Sequence, residues 1–190
     1  MYHDVTFTDT VKVPPQLLGG DVEESVRESL KKQYEGAVTP ELGAVLSITD
    51  VDEIGEGEIR PEEAGAYYPV TCDAVTYKPE LHEVVIGEVS DITEFGAFVT
   101  IGPVEALCHV SQIMDDYVSY NEEQNVLSGE DGDRILQEGD VVKARITAVS
   151  LSDEENKKIN LTMRQPGLGK MEWIEEAAED DDEEENENGR

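Results

Sequence analysis

Five β-type runs follow one another between residues 84 and 164, at 84–92, 95–101, 104–110, 141–149 and 158–164, with no helical period among them. Gly87, Gly96, Gly102 and Gly139 punctuate them. Short strands bent at glycines and joined without helices bury one face each most economically by closing on themselves, which points to a small Greek-key barrel of the OB type. Side chains alternate across a strand. In "VVKARITAV", Val142, Ala144, Ile146 and Ala148 therefore share an inner face and Lys143 and Arg145 an outer one. In "KINLTMR", Ile159, Leu161 and Met163 point inward, leaving Lys158, Asn160, Thr162 and Arg164 outside. A long connection, 114–138, separates the third run from the fourth.

The first eighty residues have a different pattern. "YHDVTFTDTVKV" alternates Val5, Phe7, Val11 and Val13 on one side, with Asp9 breaking the row, and reads as a half-buried strand ended by Pro14 and Pro15. "GGDVEESVRESLKKQYEG" reads as a helix. Asp21 with Glu24 resembles a capping box, Val22, Val26 and Leu30 form one stripe, Glu28 and Lys32 make a favourable pair, and Gly36 supplies the stop. Two further β-rich runs, "ELGAVLSITDVDEI" and "YYPVTCDAVTY", flank the polar segment 55–66, "GEGEIRPEEAGA", whose three glycines and one proline suit a long tip between paired strands. The chain is thus expected to be α+β, with domains at 1–80 and 81–170. The stretch "EEAAEDDDEEENENGR" has no apolar period, so 171–190 is expected to be a disordered acidic tail.

Charge limits what the chain can bind. The formal net charge is −31, and it is spread along the whole length: 17 acids and 6 bases in 1–81, 17 and 7 in 82–170, 11 and 1 in 171–190. A coat over every segment suggests adaptation to a salt-rich cell, where a Debye length of about 3 Å mutes repulsion between like charges. Such a protein is expected to unfold in dilute buffer and recover in concentrated salt. No stretch reaches the roughly 20 apolar residues of a membrane helix, and "MYHDVTF" has no basic-then-apolar leader pattern, so an intracellular, cytoplasmic protein without membrane contact is expected. Cys72 and Cys108, 36 residues apart, and the scattered His3, His82 and His109 have no metal-ligand spacing. Neither a metal nor a cofactor is expected. There is no Gly-rich phosphate loop and no nucleophile–base set, so no catalytic residues are expected either.

Two of the three phenylalanines, Phe95 and Phe98, stand in "EFGAFVTIGPVEALCHVSQI", followed by His109. On an OB barrel such rings can stack on the bases of a single strand, at about 1–3 kcal/mol per base. Positions 95 and 98 differ by an odd number, so both rings reach one surface only if the chain bends at Gly96. In molar salt counterion release contributes little, so stacking rather than Lys143, Arg145, Lys158 and Arg164 is expected to carry affinity for single-stranded RNA.

"VIGEVSDITEFGAFVTIGPVEALCHVSQI", "LQEGDVVKARITAVS" and "KKINLTMRQ" resemble the RNA-binding barrel repeated in ribosomal protein S-one. "SQIMDDYVSY", "EIGEGEIRPEEAGAYYPVTCDAVTYKPEL" and "LTMRQPGLGKMEWI" resemble the E-type stalk subunits of archaeal RNA polymerase, a family that includes the eukaryotic seventh subunit as its counterpart, from Met1 to about Ile174. The resemblance implies a truncated ribonucleoprotein-like N-terminal domain followed by a five-stranded OB barrel. It implies a heterodimer with the smaller, F-type stalk subunit, and a non-catalytic place in a nucleotidyltransferase complex. It implies that a tip at Gly55, Glu56, Gly57, Ala64, Gly65, Ala66 and Tyr67 docks on the polymerase core beside its clamp, and that Phe95, Phe98 and His109 face the transcript. Lys158 stands where the family usually has arginine, and "EALCHVS" departs from its usual glycine-leucine-valine before the histidine. A free OB-fold RNA-binding factor of translation, or an exosome cap, is the alternative reading.

Overall fold

The computed structural model describes residues 1–61, 63–130, 133–151 and 158–188, with side chains as far as Glu179. Two compact units part at Lys78–Pro79.

In the first unit, β1 (Tyr2–Val13), α1 (Val22–Tyr34), β2 (Val38–Thr39), β3 (Gly43–Ile54) and β4 (Ala66–Tyr77) form an antiparallel sheet of order β1-β4-β3-β2 carrying one helix. The helix packs on β1 and β3. Val11, Val13, Val26, Leu30, Val45, Ile48, Val70 and Cys72 make the core, with Val5 and Phe7 half-buried at its edge. Asp9 breaks the apolar row because Tyr34, at the last turn of α1, donates its hydroxyl to the Asp9 carboxylate. Burial, and then Asp9, raise the Tyr34 hydroxyl well above the ordinary tyrosine range. The helix begins at an Asp21 cap whose side chain accepts from the Glu23 amide at 2.9 Å. Val22, expected on the buried stripe, is 47% exposed, because the first turn lies outside the contact that covers Val26 and Leu30.

The tip between β3 and β4 is an ordered continuation of that hairpin. The Gly55 amide donates to the Pro69 carbonyl at 2.8 Å, and Glu58 and Tyr67 exchange two backbone hydrogen bonds of 2.8 Å. Gly57 sits against the Tyr68 ring, where an added Cβ would meet it at 2.5 Å. Glu62 lies outside the described residues.

The second unit contains β5 (Val84–Thr93), β6 (Gly96–Ile101), β7 (Val104–His109), a single 3-10 turn at Val110–Gln112, β8 (Ser119–Asn121), β9 (Val126–Ser128), β10 (Ile135–Leu136), β11 (Val141–Ser150), β12 (Lys158–Thr162), β13 (Gly169–Lys170) and α2 (Met171–Asn188). The strand order β12-β7-β6-β5-β11, with β11 pairing back onto β12, closes the expected five-stranded barrel. Val89, Ala97, Val99, Ile101, Cys108, Val142, Ala144, Ile146 and Leu161 fill it. Burial pushes the Cys108 thiol up to about 12, and burial followed by Asp73 pushes Cys72 up to about 11, so neither forms a reactive thiolate near neutrality.

Two positions depart from strict alternation. A register shift between Ile146 and Ala148 turns Ala148 outward. Thr162, expected outside, is buried because its hydroxyl donates to the Gln112 side-chain oxygen at 2.9 Å. The connection 114–138 is also more than a loop, since β8, β9 and β10 pair within it over Val126, Leu127 and Leu136. The backbone of the expected acidic tail is helical from Met171 to Asn188. Trp173 anchors its first turn in the barrel unit at 9% exposure, and Glu175, Glu176 and Glu179 beyond it are exposed. Residues 189 and 190 of that segment lie outside the described residues. No described helix is long and apolar enough to cross a membrane.

Candidate nucleic-acid interface

The bend at Gly96 settles where the two phenylalanines point. Gly96 has φ +154°, and a Cβ on it would lie 2.2 Å from the Cys108 carbonyl oxygen, so β6 and β7 meet there only through a glycine. Thr93 fastens the turn by donating to the Gly96 carbonyl at 2.9 Å. Phe95, in the two-residue turn between β5 and β6, and Phe98, on β6, come out on the same side, with ring centroids 6.0 Å apart in an edge-to-face arrangement. Phe95 is 45% exposed and Phe98 half-buried. Across the barrel surface Phe98 pairs with Asp91 on β5 and with Leu107 on β7, and Leu107 pairs in turn with Asn160 on β12. His109 pairs with Gly96 itself.

The His109 ring is oriented by its own turn. Its Nδ1 accepts from the Ser111 amide at 3.2 Å and lies 2.9 Å from the Ser111 hydroxyl. With Nδ1 occupied as an acceptor, neutral His109 carries its proton on Nε2, a donor available to a ligand on the open side. The strip thus offers two rings, an apolar step at Leu107, the Asn160 amide and one imidazole donor.

The cations divide. Lys158 is exposed on β12, two residues from Asn160 and so on the same outer row. Arg164 adjoins the strip from the other end: it donates to the Ser111 carbonyl at 3.5 Å and pairs with Asp115. Lys143 lies opposite Ile86 on β5. Ile86 is five residues from Asp91, about 16 Å along a strand from the residue facing Phe98. Arg145 is half-buried between Val84 and Thr162, its Nε enclosed without a hydrogen-bond partner among the described residues. The geometry therefore groups Phe95, Phe98, His109 and Lys158, attaches Arg164, sets Arg145 one strand beyond, opposite Thr162 on β12, and leaves Lys143 on another part of the barrel. Leu107 and Asn160 belong to the strip but carry no aromatic or charge signal that would single them out. Their place follows only from strand pairing.

In the tip, Gly55, Glu56 and Gly57 are exposed and Ala64 too, whereas Gly65 and Ala66 are buried and Tyr67 is half-buried. The Tyr67 ring is held under Arg60, whose guanidinium carbon lies 4.1 Å from its centroid, with the Lys12 ammonium at 5.6 Å. Tyr67 also donates to Glu63. The tip leaves its edge and Ile59, 76% exposed, open to solvent, while Gly65 and Ala66 shape the return of the hairpin.

A barrel of this topology with an aromatic strip defines the class, and comparison agrees: residues 78–164 match the S1 RNA binding domain. Residues 8–64 match the SHS2 domain found in N terminus of Rpb7p/Rpc25p/MJ0397. The chain is 37% identical over 174 residues to the DNA-directed RNA polymerase subunit Rpo7 of Sulfolobus acidocaldarius, covering 92% of this chain and 95% of that one. It is 38% identical over 175 residues to Rpo7 of Saccharolobus solfataricus, covering 92% and 97%. A shorter match, 30% over 93 residues, covers 49% of this chain and 44% of the DNA-directed RNA polymerase III subunit RPC8 of Saccharomyces cerevisiae. The chain belongs to the Rpo7 family of DNA-directed RNA polymerase subunits.

Proposed function

We propose that this chain serves RNA polymerase in its stalk, as a cytoplasmic, non-catalytic member of the enzyme. In this reading it pairs with the smaller, F-type stalk subunit, docks on the core near the clamp through its tip, and touches the emerging transcript with its barrel. The observation that carries this reading is similarity to Rpo7 chains along almost the full length of both, so that the SHS2 half, which RNA binding alone does not require, is kept together with the S1 half. The exposed tip edge supports docking, and the shared face of Phe95 and Phe98 supports contact with single-stranded RNA. The acid coat supports a salt-rich cell as the setting.

Affinity capture of the tagged full chain from native extract, with partners identified by mass, tests the assembly. A small stalk partner together with the polymerase core is the expected catch, and ring nucleases in their place would defeat the reading. For the RNA contact, Phe98→Ala is expected to weaken binding to a single-stranded RNA about tenfold in molar potassium chloride, in line with roughly 1–3 kcal/mol per stacked base. Lys143→Ala should change it little, since that lysine lies away from the strip. The opposite ranking in a titration would mean that the contact is an electrostatic groove on β11.

A further inference from the structure

Beyond the strip the surface does not close. Val110, Ser111, Asp116, Tyr117 and Arg164 line an open cleft of about 360 Å³. It is joined to the strip by backbone: the Val110 amide donates to the Phe95 carbonyl at 2.8 Å, and Ser111 is the residue that orients His109. A strand of nucleic acid lying over Phe98, Phe95 and His109 therefore arrives at this cleft with no intervening element.

Tyr117 is the unusual feature there. It is 73% exposed, although aromatic rings ordinarily find cover. Its backbone is nevertheless braced. Asp116 accepts from the Tyr117 amide at 2.7 Å with one carboxylate oxygen and from the Glu130 amide at 3.0 Å with the other, which ties the loop to the β8–β10 sheet. A ring presented on a braced loop costs little ordering when something stacks on it. Across the cleft the Arg164 guanidinium, paired with Asp115 and the Ser111 carbonyl, keeps further N–H donors and a flat face.

We propose that single-stranded RNA continues from the aromatic strip into this cleft and stacks one further base on Tyr117, beside Arg164. This rests on the RNA reading above and extends it by one subsite. The carboxylates of Asp115 and Asp116 make the cleft a poor place for a phosphate but a good one for a base edge that carries an exocyclic amino group, because a carboxylate accepts from such a donor. Cytosine should be preferred to uracil there.

The test uses the full chain in molar potassium chloride and two lengths of oligocytidine, about four and about twelve nucleotides, spanning the range one OB fold covers. Tyr117→Ala is expected to weaken the longer oligomer about tenfold, as loss of one stacked base requires, and to leave the shorter one unchanged, whereas Phe98→Ala weakens both. Tyr117→Trp should restore the longer binding, and the wild type should favour long oligocytidine over long oligouridine. If Tyr117→Ala binds both lengths like the wild type while Phe98→Ala fails on both, the subsite is refuted and the strip stands. If Phe98→Ala binds as well as the wild type, the RNA reading itself falls. Unchanged RNA binding by Tyr117→Ala combined with loss of a captured polymerase component would reassign the ring to a protein contact, also refuting the subsite.

Discussion

Gly96→Ala should destabilise the barrel by about 3 kcal/mol or more, the sum of backbone strain and a forced displacement of two strands. The backbone there lies at φ +154°, a conformation L side chains rarely adopt. More decisively, the new methyl would meet the Cys108 carbonyl oxygen at 2.2 Å and the His109 Cα at 3.0 Å. Both are backbone atoms of β7, so no rotamer change relieves the clash. Either β6 and β7 separate at Gly96–His109, losing the pair that seats the histidine, or the chain rotates and Phe95 leaves Phe98. Each route spoils the strip. Urea unfolding should therefore show a lowered midpoint, and RNA binding in molar salt should fall further than for Phe98→Ala. An alanine variant as stable as the parent, with RNA binding intact, would show that the bend is not what brings the rings together.

That glycine is also where sequence and structure meet most closely. The odd spacing of Phe95 and Phe98 around Gly96 states a condition, a bend or no shared face, and the rings do meet, because Phe95 stands in the hairpin turn and β6 begins only at Gly96. The five barrel runs and the N-terminal helix were legible for a similar reason: local alternation and capping residues determine them without reference to distant partners. What escaped depends on neighbours far along the chain. Thr162 is buried by Gln112, fifty residues earlier, and Ala148 is turned outward by a register shift against β12. Strands of two or three residues, like β8, β9 and β10, are too short to show an alternating pattern at all. The site divides along the same line. The aromatic pair could be found from spacing, but alternation alone placed Lys143 and Arg145 merely outside, and only pairing to Ile86 and Val84 shows which outside. Asp9 is the converse case: a break in the pattern that looked like a fault is the acceptor of a buried tyrosine.

Lys170→Met should cost the barrel unit about 3–5 kcal/mol, the usual loss when one partner of a buried ion pair is removed. The Lys170 ammonium lies 3.1 Å from Asp140, and the two side chains are only 13% and 10% exposed. Asp140 is no idle counterion. Its other oxygen accepts from the Gln137 amide at 2.9 Å, and its backbone carbonyl accepts from the Val89 amide at 2.9 Å, so it binds the turn before β11 to β5. Lys170 stands on β13, paired to β11 beside Val142, and it reaches back to complete the corner. Without the ammonium a carboxylate remains enclosed with no cation, and the thermal midpoint should drop by about 10 °C or more. The second partner, Glu172 at 2.8 Å, is 71% exposed and contributes little by itself. The proof of mechanism is the double variant Lys170→Met with Asp140→Asn, which removes both charges and should recover much of the loss. The pair also dictates a sign for pH. Burial tends to lower the Lys170 value, but hydrogen bonds and attraction from Glu172 and Asp140 outweigh it and hold it above its ordinary 10.5. The folded chain thus keeps this proton longer than the unfolded one. Its stabilising contribution is whole below about 10.5 and drains away as pH climbs through the raised folded value. Stability curves of wild type and Lys170→Met should accordingly run parallel through neutral pH and, on its alkaline side, converge only in strong alkali; convergence near neutrality would mean that the corner is held by packing rather than by charge.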